Sequence, residues 1–380
     1  MNFVAWQMLT GDRAKYLGLI FAIAFSTFLM SHQTSIFCGL MNRTRSQILD
    51  VKDAEIWVMD PKTQYLDEVK ALPEQDVYRV RSVSGVEWAV PLLKGTARAK
   101  VHTDGRFRAV ILMGLDDASL VGAPRDMALG TFDALQQPDS IVIDRVGYKF
   151  FFPGEPLALG RQLELNDRIV RIAGICNSSA PFVNLPVAYA RYSVAADLVG
   201  QERNLMSFVV AKAAKGVSDA EAARRIADAT GLRAVTAQQF GWETIWYYIR
   251  NTGIPINFGI TVAIALIVGT VVAGQTFYLF VLENLKQFGA LKAIGVTNWR
   301  ITGMILMQAA VVGVIGYCIG IAMTAAFFEA TKNNLDLRGF YLLPQVMGGV
   351  GIAVLLIVFL ASVISVRRVA VLEPAIVFRG

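Results

Sequence analysis

Apolar residues fall into two regimes along this chain. Four runs are long and nearly uninterrupted, at residues 16–38, 254–282, 301–328 and 346–366. Each has the roughly 20 residues that a helix needs to cross hydrocarbon. Backbone groups in lipid must bond within their own segment, so four helices are expected. Residues 2–14 carry Phe3, Val4, Trp6 and Met8 ahead of Thr10, Gly11 and Asp12, and predict a short amphipathic lead-in helix. Arg13 and Lys15 precede the first run, as in a signal peptide. The run is long and no small-residue cleavage site follows it, so an uncleaved anchor is expected.

Between the first two runs, residues 39–250 behave differently. Pro, Gly and charge return, and the apolar pattern shortens to strand length. Strands are expected at Ala54–Asp60, Val86–Leu93, Ile141–Val146, Leu163–Ile175, Val187–Tyr189, Ser207–Ala211 and Arg233–Thr236, with a hairpin over Arg98–Leu112. A helix opens at Pro73 and runs to Ser84, with Val77, Val80 and Val83 inward. Ser218 caps an Ala-rich helix to Thr230, and Gln238–Arg250 is a helix leading into the second run. The first and last parts alternate strand and helix, whereas about 115–204 reads as strand and loop. Two lobes follow: a split α/β lobe and an inserted β-rich one.

Residues 283–300, ENLKQFGALKAIGVTNWR, hold almost the only charges for many positions on either side. Glu283, Lys286 and Gln287 share one side of a helix, at i, i+3 and i+4. Leu282, Leu285, Phe288 and Leu291 line another. Gly295 follows the last periodic residue, where a helix stop is expected, and Thr297 is placed to cap the next helix near Trp299. Two readings of this short polar helix stand: a loop between spans, or a projection that presses on a partner.

Gln287-Phe-Gly-Ala-Leu-Lys-Ala-Ile-Gly295 resembles the segment between the second and third spans of FtsX/MacB-type ABC transporter permeases, with DevC-like permeases as the nearest named group. The end of the chain, Arg367 to Arg379, is similar to the family's closing pattern of basic residue, Ala, Pro-Ala and basic residue. The resemblance implies four transmembrane α-helices with a large α+β periplasmic domain between helices 1 and 2. It also implies a cytosolic ATPase partner that supplies ATP and Mg, a homodimer, a periplasmic adaptor (membrane fusion protein) and an outer-membrane channel. For DevC-like members it implies export of lipid, glycolipid or another hydrophobic substrate. In that arrangement Phe288 and Leu291 would fill a groove in the ATPase. Glu283, Lys286 and Lys292 would make polar rim contacts, Gly289 would allow close approach, and Gly295 would end the projection. The competing reading of Phe288 and Leu291 is packing against the chain's own third span. A rival function within the same architecture is transmembrane signalling to a cell-wall hydrolase. A more distant one is a membrane-anchored binding protein.

Composition fits the span count. The chain has 380 residues, of which 54% are hydrophobic and only 17% charged. Segments 1–16, 283–300 and 367–380 hold eight Lys/Arg against three Asp/Glu, segment 329–345 holds two of each, and 39–250 holds 26 against 25. Nearly all of the +6 net charge therefore lies on one side. The positive-inside rule makes that side cytoplasmic. Both termini and 283–300 are expected inside a bacterial inner membrane, with the large domain outside. Such a distribution does not suggest nucleic acid as a partner. There is no Gly-Lys dipeptide, hence no Walker A loop, and a non-catalytic subunit without its own cofactor is expected.

Candidate chemistry is sparse. Cys38, Cys176 and Cys318 form no even framework, and His32 and His102 are too scattered for zinc. His32 lies near the far end of span one, where interfacial residues tolerate polarity. Asp116-Asp117 reads as a solvated acidic loop. The spans hold no buried acids of the kind a proton-coupled transporter uses. Gly316 and Gly320 permit close helix packing, expected within the chain rather than across a dimer. Around Thr103-Asp104-Gly105, a three-residue hairpin loop would pair Val101 with Phe107. It would set Lys100 opposite Arg108 and His102 opposite Arg106, with Arg98 alongside. Like charges directly opposed are unfavourable. That cluster predicts contact with an acidic partner or lipid headgroups, the alternative being a solvated edge.

Overall fold

The computed structural model describes residues 2–11, 13–100, 105–199, 206–332, 334 and 337–370. They form two compact units. One contains residues 1–39, 253–333 and 340–380; the other contains 40–252 and 334–339.

The first unit is a helix bundle. Helix α1 is Asn2–Gly11, and α2 runs unbroken from Arg13 to Asp50. The periodic pattern predicted a break near residue 38, but the helix continues to Asp50, and its part from Leu40 onward belongs to the second unit. Helices α8 (Ile254–Glu283), α10 (Asn298–Thr331) and α11 (Pro344–Ala370) are the other long ones, with α9 (Leu285–Ala293) between α8 and α10. Four helices, α2, α8, α10 and α11, are long and apolar enough to cross a membrane. Their shared core includes Leu19, Ile23, Met30, Phe277, Phe280, Ile305, Val312, Val354 and Ile357.

Glycines set how closely these helices approach. A Cβ on Gly316 would lie 2.8 Å from the Ile23 Cβ, and one on Gly320 would lie 2.5 Å from the Thr27 Cβ and 2.6 Å from the Ala24 carbonyl oxygen. The Gly316/Gly320 pair is thus filled by α2 of the same chain, as the sequence suggested. Beside it the Ser31 and Thr324 hydroxyls hydrogen-bond at 2.6 Å. His32 sits among rings, edge-on to Phe327 at 4.6 Å and stacked on Phe328 at 5.7 Å.

The second unit is built on one ten-stranded sheet. Its strands are β1 (Ile56–Met59), β2 (Val86–Lys100), β3 (Phe107–Leu115), β4 (Met127–Leu129), β5 (Ser140–Asp144), β6 (Gln162–Leu165), β7 (Arg168–Cys176), β8 (Val187–Arg191), β9 (Phe208–Ala213) and β10 (Arg233–Thr236). The order is β10-β1-β9-β2-β3-β8-β5-β7-β4, and β6 bridges β2 and β7. Strand β2 unites the two lobes. Its first half, Val86–Leu92, pairs with β9, and its second half, Leu93–Lys100, pairs with β3. Pro91 sits in the first half, where β3 has not yet begun to pair, so its missing N–H costs no ladder bond on that side.

Helices cover the sheet where their apolar stripes predict. Helix α3 (Gln75–Arg81) buries Val77 and Val80, and α6 (Asp219–Thr230) buries Ala222, Ala223 and Ile226, all in one cluster with Ile56, Val58, Val209 and Ala211. The Ser218 side chain accepts from the Glu221 N–H, and Gly231 ends α6 in the left-handed region. Helix α7 is Ala237–Asn251, capped by Thr236. The strand-and-loop reading of 115–204 needs correction. It contains two helices, α4 (Arg145–Phe151) and α5 (Tyr192–Val199), whose Tyr148, Phe151, Ala195 and Leu198 fill the core of that half. The local cause of α4 is Asp144, whose carboxylate caps it at the Gly147 N–H.

The hairpin register also differs from expectation. Lys100 pairs with Phe107, Ala99 with Arg108 and Arg98 with Ala109. The register is one position off the expected one, so the cations expected to face each other are out of step. Val101, His102, Thr103 and Asp104 lie outside the described residues.

Candidate functional site

Helix α8 ends at Glu283 because Asn284 turns the backbone to φ −88°, ψ 9°. The Asn284 side-chain amide donates back to the Phe280 carbonyl at 2.8 Å, which holds the turn. Helix α9 then runs for nine residues. Its end is a Schellman motif. The Val296 N–H bonds the Leu291 carbonyl at 3.0 Å and the Gly295 N–H bonds the Lys292 carbonyl at 2.9 Å, with Gly295 at φ +96°. Leu291 and Val296 pack together against the bundle core, the apolar contact that accompanies this cap. Thr297 occupies the N-cap position of α10 in extended backbone, without a side-chain cap bond.

The two faces of this segment have opposite fates. Phe288 is fully buried in the bundle with Leu9, Phe280, Val281 and Ile301, and Gly289 is buried as well. Neither can enter a groove in another protein, which corrects the docking roles expected for them. The 3.6-residue period turns Phe288 and Leu291 onto the inner face together. Outward stand Lys286, Gln287, Ala290, Ala293 and Arg300, and with them two large apolar side chains, Ile294 (82% exposed) and Trp299 (85%). Glu283 is exposed and ion-paired with Lys15 at the start of α2. Partial burial draws the Lys292 ammonium below the usual lysine range. Ile294 and Trp299 flank the Gly295 turn.

In the second unit the basic hairpin is knitted into its own domain. Lys100 lies 3.4 Å from Glu164, the Arg98 guanidinium stacks on Phe107 at 5.2 Å, and Arg108 stacks on Phe150 at 5.9 Å. Arg106 is exposed just ahead of β3 and has a partner of its own. Among the described residues the expected opposition of Lys100 and Arg108 is absent, so that reason for a headgroup contact falls. Asp116 caps its own loop at the Ser119 N–H, 2.9 Å away, and Asp117 accepts from the Ser193 N–H at 3.1 Å.

Two ion pairs in this unit, each with at least one buried member, had no local signal in the sequence. Lys94 pairs with Asp67, which also accepts from the Tyr248 hydroxyl at 3.0 Å. Burial pulls the Lys94 ammonium down, against the opposing pull of Asp67. The pair borders a cavity of about 740 Å³ walled by Tyr65, Val69, Ile111 and Leu185. Arg338, from the segment between α10 and α11, pairs with Asp144 and donates to the Leu185 carbonyl at 3.2 Å. Arg43 donates to the Arg338 carbonyl and to Asn184 Oδ1, the latter at 2.9 Å.

Four membrane-type helices, a cap-terminated segment between the second and third, and a large α/β domain between the first and second define a multi-pass membrane protein. Comparison with known proteins gives the family. Residues 17–229 match the MacB-like periplasmic core domain, and residues 259–374 match the FtsX-like permease C-terminal family. The first match covers more than half of the chain, which therefore belongs to the FtsX/MacB-type ABC transporter permeases. An uncharacterized ABC transporter permease of Mycobacterium bovis is 25% identical over 371 residues, 95% of each chain. The macrolide export ATP-binding/permease protein MacB of Psychrobacter cryohalolentis is 23% identical over 287 residues, 71% of this chain and 42% of that longer protein. Among solved structures, the periplasmic region of MacB from Actinobacillus actinomycetemcomitans covers 54% of this chain and 96% of its own, with 15% identity and a TM-score of 0.38.

Proposed function

We propose that this chain is the motion-transmitting permease subunit of an ABC exporter, and that its ATPase is a separate chain seated on the outward face of residues 283–300. The observation that carries the docking reading is the exposure of Ile294 and Trp299 beside a rigid cap, with Lys286 and Arg300 around them. A few apolar anchors with a polar rim commonly supply most of an interface's energy. An aromatic belt at headgroup level would account for Trp299, but it gives no role to Ile294. The excess of Lys and Arg on this side supports a cytosolic location for it and for both termini, in a bacterial inner membrane.

Closure of two ATPase subunits would move two such segments, so a homodimer is the assembly proposed. The movement would reach the periplasmic domain through the spans and drive export of a lipid, glycolipid or other hydrophobic substrate. An adaptor protein and an outer-membrane channel would complete the path. ATP and Mg would reside in the partner.

The test is co-purification of the ATPase with Ile294→Asp and Trp299→Asp variants of the tagged permease in membranes. Both should insert and resist protease as wild type does, yet lose the ATPase. Wild-type ATPase stoichiometry in both variants would overturn the docking surface. Labelling of a cysteine at Asn284 by reagents confined outside the cell would overturn the topology.

A further inference from the structure

The cavity of about 740 Å³ in the second unit has a polar end built from strand geometry. Side chains alternate across a strand, so Lys94 and Thr96 leave β2 on one face, beside their cross-strand partners Met113 and Ile111 on β3. Lys94, Thr96 and Ile111 all border the cavity. The backbone at Lys94 is fixed where β2 changes partner from β9 to β3. Its N–H donates to the Ser207 hydroxyl at 2.8 Å, and that hydroxyl donates to its carbonyl at 3.1 Å. An ammonium has three donors. One is taken by Asp67. The other two have no partner among the described residues, although the Lys94 side chain is only 7% exposed. A buried donor without an acceptor is costly. The Thr96 hydroxyl is likewise uncommitted among the described residues.

The other walls are mostly apolar: Val69, Ile111, Val183, Leu185 and Val199. Tyr65 is held in place by stacking on Tyr247 at 4.0 Å and meeting Tyr248 edge-on at 5.5 Å. Gly95 lets Val199 approach, since a Cβ there would lie 2.6 Å from a Val199 methyl. A preformed, largely apolar cavity with a few convergent polar groups is the usual form of a small-molecule site, and this volume lies within the range such sites occupy. Charge then selects the head of the ligand. Asp67 and Glu68 also border the cavity, so an anionic head would face two carboxylates against one ammonium. A cationic head would meet Lys94, and all four acid oxygens already hold a donor. Lys94 and the Tyr248 hydroxyl (3.0 Å) are on Asp67. Lys70 (3.3 Å) and the Gln64 N–H (2.9 Å) are on Glu68. What remains is an uncharged oxygen acceptor. A Lys94–Asp67 pair that served structure alone would need neither spare donors nor a cavity.

We propose that this cavity binds a compact, uncharged amphiphile, whose carbonyl or hydroxyl oxygens accept from the Lys94 ammonium while its apolar body lies against Val69, Ile111 and Leu185. The site goes beyond the docking and export reading, because binding here needs neither the ATPase nor transport.

Thiol protection on the full chain in lipid nanodiscs tests it. The background carries Cys38→Ala and Cys318→Ala and keeps Cys176, whose burial makes its labelling a report of unfolding. Val183→Cys places a thiol on an exposed part of the cavity lining. The probe is hexyl glucoside below its micelle concentration. It should slow maleimide labelling by the factor 1 + [L]/Kd, about tenfold at roughly nine times the Kd. Ile169→Cys, exposed on β7 and not part of the lining, should be labelled at an unchanged rate. Hexylamine and hexyl sulfate carry the same tail with a charge, and at the same concentration should protect several-fold less. Lys94→Met should weaken the glucoside about tenfold or more. Val69→Trp fills the cavity, leaves Lys94 in place and should abolish protection. No protection by the glucoside, equal protection by all three probes, or stronger protection by a charged one would overturn the proposal. So would full protection in either variant with Cys176 unlabelled. Where a variant exposes Cys176, the probe series on the unaltered cavity decides alone.

Discussion

Arg338→Met should destabilise the second unit measurably. Arg338 and Asp144 are separated by 194 positions in sequence and are both almost fully buried. Asp144 also accepts from the Val187 N–H at 2.8 Å and the Gly147 N–H at 3.2 Å. Removing one member of a buried pair leaves the other charge uncompensated, which typically costs about 3–5 kcal/mol. The two backbone donors remain with Asp144 in the variant and keep the cost near the lower figure, about 3 kcal/mol. For a unit of this size each kcal/mol lowers Tm by about 2–4 °C, so a drop of roughly 6–12 °C is expected. The assay is thermal unfolding of the full chain in detergent, followed by tryptophan emission, since Trp57 is wholly buried in this unit. Adding Asp144→Asn to Arg338→Met removes the stranded charge, and the double variant should recover at least half of the loss. A Tm for Arg338→Met within about 2 °C of wild type would refute the reasoning. So would a double variant whose loss equals the sum of the singles, because the pair would then be two independent groups.

Three further outcomes are expected. Gly320→Ala places a methyl against Thr27 and the Ala24 carbonyl and should destabilise the bundle by about 1–3 kcal/mol, read as earlier loss of helix on heating, whereas Gly259→Ala, which meets nothing, should not. Asp50 is held above the ordinary carboxylate value by burial, opposed by hydrogen bonds from Ser179. The folded state therefore keeps a proton that the unfolded chain has lost. The stability this contributes is complete below the unfolded value of 3.8 and disappears as pH rises through the raised one. Asp50→Asn should thus gain on wild type as pH rises through that window and hold its lead to neutrality, measured as a Tm difference between pH 3.5 and 7.5; a lead that shrinks would reverse the assignment. Glu283→Gln breaks an exposed pair with Lys15 and should change bundle stability by less than about 1 kcal/mol. Any large loss of ATPase with that variant then reports docking rather than unfolding.

What could be read from the chain beforehand is what short-range rules govern. Ser218 marks the start of α6, and Gly295 the end of α9, because a cap depends on neighbours within a few residues. Four apolar runs become four helices because hydrocarbon permits no other backbone. The failures share a cause as well. Strand β2 runs past its expected end at Leu93 to Lys100 because β3 takes over from β9 as its partner there, which is a property of topology. The hairpin strands pair one position out of the expected register, and that slip exchanges which cations oppose which. Arg338 looked like one more loop charge, since its partner is fixed only when the chain has folded. Phe288 was legible as apolar and periodic, but periodicity says that a face is buried without saying in what.

That last ambiguity bears on how the proposed coupling would work. A projection made of Phe288 and Leu291 would leave its own bundle when the ATPase let go, and little motion would pass. The arrangement found is the better transmitter. Phe288, Leu291 and Val296 fasten α9 to the bundle, the Schellman cap stiffens its end, and Lys15 holds Glu283 at its root. Ile294 and Trp299 remain free to be gripped. A push on them cannot be absorbed by hinging at α9 without breaking buried contacts, so it must shift α8 and α10. Phe288→Ala separates the two ideas. A cavity there costs a few kcal/mol and loosens the segment. If the buried ring is a fastener, the variant still binds ATPase but uncouples hydrolysis from the movement of the outer domain. If the ring were the anchor, binding itself would be lost.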